Sequence, residues 1–93
     1  MDERSEPRYP AKTTATLRLL SDADLGVCAT LIDISRSGLR AECARFVPRG
    51  SQVSVETKEI TVIGTVQNCT EIHSGMFGVG IRIYQITPNP VHP

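Results

Sequence analysis

The stretch Phe77-Gly78-Val79-Gly80-Ile81-Arg82-Ile83-Tyr84 places an apolar side chain at every second position, with glycine, arginine and tyrosine between them. A period of two is the signature of a half-buried β-strand, because successive side chains leave opposite faces. The same alternation runs through Ile60, Val62 and Val66 against Thr61, Thr65 and Gln67, and Gly64 interrupts the apolar face where a bulge or sharp bend is expected. Upstream, Ala15 to Leu20 and Val27 to Ile32 are strand candidates joined by the polar segment Ser21 to Gly26, which predicts a hairpin. Val53-Ser54-Val55 and the Ile60 strand predict a second hairpin across Glu56 to Glu59. Pro48-Arg49-Gly50 marks the connection before Val53, and Thr70 to Gly75 reads as the loop between the last two strands. Six short strands with no helical period predict an all-β fold, a small antiparallel six-stranded β-barrel, since closure removes exposed sheet edges.

The ends differ from the middle. Residues 1–12 are polar, with prolines at 7 and 10, and form an arginine-bearing arm; residues 13–86 hold the barrel; residues 87–93, Thr-Pro-Asn-Pro-Val-His-Pro, are expected to fray. A chain of 93 residues forms one domain that buries roughly 60–65% of its unfolded surface, which leaves no room for a large interdomain cleft. Ten basic and ten acidic residues give zero formal charge, so the broad basic field of a nucleic-acid binder is missing and any anion must be caught locally. Tyr9, Phe46, Phe77 and Tyr84 are too few and too scattered for a single-strand stacking platform. No run reaches the ~18 apolar residues of a membrane-spanning helix. Three cysteines, Cys28, Cys43 and Cys69, and no apolar leader predict a reduced, cytoplasmic protein with small buried thiols.

Chemistry concentrates at Asp33-Ile34-Ser35-Arg36-Ser37-Gly38, a D-x-S-x-x-G step leaving the apolar run Thr30-Leu31-Ile32. The carboxylate accepts hydrogen bonds, the hydroxyl donates or accepts, and glycine lets a ligand approach the main chain. At ordinary residue frequencies this pattern arises by chance in about one chain in thirty of this length. Arg-x-x-x-Arg is far less specific, occurring at Arg4 and Arg8, Arg36 and Arg40, and Arg45 and Arg49; only the first pair precedes the first strand. Cys69 and His73 lack the paired C-x-x-C of a metal site, and Asp33 has no carboxylate partner for acid–base work, so neither metal nor enzymatic activity is expected.

An arginine pair in an N-terminal arm, then a strand pair, then D-x-S-x-x-G, together with Phe46-Val47-Pro48-Arg49-Gly50 and the closing Gly78 to Ile83 strand, resembles the PilZ domain family across nearly the whole chain. The resemblance implies a small β-barrel that binds the bacterial second messenger cyclic di-GMP without catalysis or cofactor. It implies that Arg4, Arg8, Asp33, Ser35 and Gly38 contact the ligand, with Arg36 and Arg40 as secondary contacts. Arginine can both stack on a purine and fork onto phosphate or guanine O6 and N7, and four extended residues span about 13 Å, so Arg4 and Arg8 could bracket one ligand. The family further implies an arm that orders on binding and presents a new surface to a protein partner. Glu3 stands where many members have a basic or apolar residue, which leaves stoichiometry open. The expected C-terminal helix has no counterpart after Ile86, which favours a homodimer or a partner protein at that end. The alternative within this resemblance is a protein-interaction adaptor that binds no nucleotide.

Overall fold

In the computed structural model, which describes residues 9–90, six strands close into one antiparallel barrel. They are β1 (Tyr9–Leu19), β2 (Asp22–Ile34), β3 (Gly38–Cys43), β4 (Gln52–Glu56), β5 (Ile60–His73) and β6 (Met76–Pro88), arranged β1-β2-β3-β6-β5-β4 with β4 paired back to β1. The all-β, six-stranded antiparallel barrel expected from the sequence is therefore observed. No described helix is long and apolar enough to cross a membrane.

The alternation in β6 does what its period requires. Val79 and Ile81 are buried in the barrel with Leu17, Leu31, Leu39, Val53, Val55, Val62 and Val66, while Arg82 and Tyr84 are exposed. Small side chains, Ala15, Ala29 and Ala41, complete the interior and let six strands close tightly. Val47, in the connection between β3 and β4, is also buried, and its N–H donates to the Cys69 sulfur at 3.3 Å. Outside it, Phe46 packs edge-on against Phe77 with ring centroids 5.9 Å apart.

Curvature comes from shifts in register. Gly64 lies at a shift between β5 and β6, and a Cβ there would collide with the Arg82 carbonyl and press on the Ile81 side chain at 2.7 Å. The bend expected at Gly64 is thus present, and its cause is backbone-to-backbone approach. Gly50, with φ at 90°, supplies the left-handed turn after Pro48-Arg49.

Several boundaries differ from the sequence reading. β2 begins at Asp22, so the polar Ser21 to Gly26 segment is mostly strand and the turn is confined to Leu20 and Ser21. β5 continues to His73, leaving only Ser74 and Gly75 to turn; Gly75 has φ at 75°, and its N–H donates to the Glu71 carboxylate at 3.0 Å. β1 starts at Tyr9, inside the segment assigned to the arm, so the barrel takes up residues on the arm side of position 13. At the other end β6 runs through Pro88, beyond the boundary placed at residue 86. Asn89 anchors the tail: its N–H reaches the Glu59 carbonyl at 2.8 Å, its amide reaches the Thr57 carbonyl at 2.8 Å, and Thr61 donates to its Oδ1 at 2.7 Å. Backbone pairing and one clamping amide hold residues that carry no apolar pattern. Residues 1–8 and 91–93 lie outside the described residues.

Gly64→Ala is expected to destabilise the barrel by about 2–4 kcal/mol, lowering the thermal midpoint by roughly 10–20 °C. Calorimetry of the two proteins measures this, and a shift within ~2 °C would show that β5 bends for another reason.

Candidate functional site

The D-x-S-x-x-G step is the β2–β3 connection, and its geometry follows from hydrogen bonds inside the motif. The Ser35 N–H donates to the Gly38 carbonyl at 2.7 Å, the Ser35 hydroxyl donates to the same carbonyl at 3.1 Å, and the Gly38 N–H donates back to that hydroxyl at 3.2 Å. The Ile83 N–H donates to the Ser37 carbonyl at 2.8 Å, tying the turn to β6. Ser35 is buried and its hydroxyl bonds within the turn, which it locks. Gly38 opens β3 without a positive φ; a Cβ there would lie 3.3 Å from the Ile81 carbonyl, so the residue permits close approach of β3 to β6.

Asp33 owes its orientation to a bulge. Leu31 pairs with Ala41, yet Asp33 pairs with Arg40, so Ile32 is an extra residue without a partner on β3. Had the alternation continued, Asp33 would follow Leu31 into the core. The shift instead sets it beside Arg40, whose side chain is exposed on the outer face. Asp33 also pairs with Pro10 of β1, and Tyr9 pairs with Ile34. A second shift on the β1 side, with Lys12 at φ 41°, accommodates the same bulge.

From this turn a depression of about 610 Å³ runs along the outer face of β6. Ser37 and Gly38 stand at one end, Gly78 and Gly80 form its floor, Arg40 and Glu42 of β3 make one wall, and Asn68 and Thr70 of β5 make the other. The structure therefore gathers Asp33, Ser35, Gly38 and Arg40 at the head of a groove. Arg36 is exposed at the tip of the turn. Arg4 and Arg8 lie outside the described residues; Tyr9, which follows Arg8 in sequence, is in the strand that borders Asp33.

Sequence reasoning did not point to Glu42 and Asn68, which line the depression. The available signal was Gly78 and Gly80, two bare residues on the outward positions of β6, which mark a floor and so direct attention to their cross-strand neighbours. The cysteines divide. Cys43 is buried, and burial pushes its thiol pKa up; the nearby Cys69 thiol adds to this, while the backbone of Arg45 and its charge oppose it. Cys28 is exposed, contrary to the expectation of three buried thiols, because its position on β2 faces outward. Among the described residues no group of three potential ligands could hold a metal.

An aromatic disulfide reagent is accordingly expected to modify Cys28 rapidly and Cys43 only as the barrel unfolds. Loss of the fast phase in Cys28→Ser, with its retention in Cys43→Ser, checks the assignment. Ser35→Ala is expected to cost about 1–2 kcal/mol, read as a fall in denaturation midpoint with unchanged m-value.

No curated protein matches the chain. Among solved structures it superposes on the Bacillus subtilis inhibitor of motility (MotI/DgrA) with a TM-score of 0.67 at 13% identity, covering 94% of this chain and 45% of that one. The likeness is one of fold, and this chain spans less than half the length of that protein. The PilZ domain model matches residues 2–91, which takes in the barrel and the D-x-S-x-x-G turn together, and the chain belongs to the PilZ domain family.

Proposed function

We propose that this PilZ domain is a non-enzymatic receptor for cyclic di-GMP, which binds on the outer face at the D-x-S-x-x-G turn. The observation that carries the reading is the pairing of Pro10 with Asp33, because it brings the end of the arginine-bearing arm to the locked turn. Asp33 accepts from guanine N–H groups, Gly38 and the turn it opens give the ligand access to backbone, and Ser35 holds that backbone in place. Arg8 and Arg4 supply the positive charge and stacking surface that a dianion with two purines requires, with Arg40 and Arg36 as secondary contacts. No step of this recognition needs a metal or a cofactor.

Binding would close the arm over the turn. The ordered arm then forms part of a surface that a protein partner reads, so the signal is passed by recognition rather than by chemistry.

Titration calorimetry with cyclic di-GMP is expected to show saturable binding to the wild type, weakened roughly tenfold to a hundredfold by Arg8→Ala and by Asp33→Ala. Circular dichroism confirms that each variant retains its fold. Unchanged affinity in both variants would overturn the assignment.

A further inference from the structure

Glu42 is a charged group on the outer face that the proposed contacts leave unused. It lies two residues beyond Arg40 on β3, about 7 Å along the strand, and both residues line the same depression. Its cross-strand neighbour on β6 is Gly78, and Gly78 in turn pairs with Thr70; the Ile72 side chain flanks that level, its Cγ2 3.4 Å from where a Cβ on Gly78 would lie. One step along, Arg40 pairs with Gly80 and Gly80 with Asn68. The Asn68 carboxamide leans over Gly80: a Cβ on that glycine would sit 2.9 Å from its Oδ1 and 3.0 Å from its Nδ2. Among the described residues no side-chain hydrogen bond occupies either the Glu42 carboxylate or the Asn68 carboxamide. The depression therefore offers an acceptor-only group on one wall and an amide on the other, with the Gly78 backbone and the Ile72 methyl between them.

We infer that Glu42 and Asn68 form a base-reading pair in this groove, with Glu42 selecting guanine over adenine. A carboxylate presents two acceptors, which match the N1–H and N2–H donors on one edge of guanine. Adenine places an unprotonated N1 at that edge, so the same carboxylate would face a lone pair there. Asn68, from the opposite wall, donates to a ring nitrogen or to O6 and fixes the orientation of the base beside Gly78. The pair rests on the cyclic di-GMP reading and assigns the second purine: Asp33 takes one guanine at the head of the groove, and Glu42 takes the other further along it.

The test compares cyclic di-GMP with cyclic di-AMP by calorimetry on the wild type, Glu42→Gln, Asn68→Ala and Asp33→Ala. Both Glu42 and Asn68 are on the outer face, and Glu42→Gln is nearly isosteric, so the fold is expected to persist. Glu42→Gln is expected to weaken cyclic di-GMP about ten- to hundredfold while leaving cyclic di-AMP little changed, so that discrimination narrows. Asn68→Ala is expected to weaken cyclic di-GMP by about tenfold. In nitrogen-edited spectra of the wild type, the Asn68 side-chain amide and the Gly78 and Gly80 amides are expected to shift on adding cyclic di-GMP. If wild type binds cyclic di-GMP and Asp33→Ala impairs it, yet Glu42→Gln keeps both affinity and discrimination, the base-reading pair alone is overturned. If wild type binds neither dinucleotide, the receptor reading falls and the pair with it.

Discussion

Closure of the sheet through β1 and β4 is the constraint on which the rest of this barrel depends. The ladder is short, from Thr16 opposite Glu56 to Leu19 opposite Val53, but it converts two edge strands into interior ones. A closed circuit of six strands encloses so little space that valine, leucine, isoleucine and alanine fill it, with Ala41, Val53 and Val79 fully buried. No ligand can enter such an interior. A ligand-binding site on this barrel would have to lie on the convex outer surface, assembled from side chains that the alternation sends outward and from the connections between strands.

That requirement explains why so much of the chemistry lies along β6. A central strand with glycine at outward positions gives up packing surface, yet in exchange it exposes a strip of flat backbone between two rows of longer side chains. The turn at its head is held by three hydrogen bonds within the motif, so this part of the site is already organised before any partner arrives. Rigidity at the turn fixes the direction of the β2–β3 backbone.

The sequence made the interior legible and the boundaries much less so. Phe77 to Ile83 could be read at sight because one face is buried and the other is not. Thr70 to His73 could not, since all four are exposed and their backbone pairing leaves no buried face in the side-chain pattern. The tail failed for a related reason, because Asn89 is anchored by hydrogen bonds to the β4–β5 turn rather than by burial. Cys28 was misplaced because a cysteine in a strand is apolar by type whichever face it occupies. In the site, the D-x-S-x-x-G letters were readable as a turn with an acceptor and a hydroxyl. The hydrogen bonds of the Ser35 hydroxyl within the turn were not readable, nor was the register that sets Glu42 and Asn68 on opposite walls of one groove.

The unpaired Ile32 works as a phase shifter. Strand geometry counts residues modulo two, and one extra residue after Leu31 moves everything downstream to the other side of the sheet until the turn resets the count. A chain could therefore keep every letter of D-x-S-x-x-G and, with a regular ladder in which Ile32 took a partner of its own, turn the carboxylate from solvent toward the valine-rich interior. Possession of the motif's letters and the outward placement of its carboxylate are for this reason separable properties, and what separates them is a register rather than a residue.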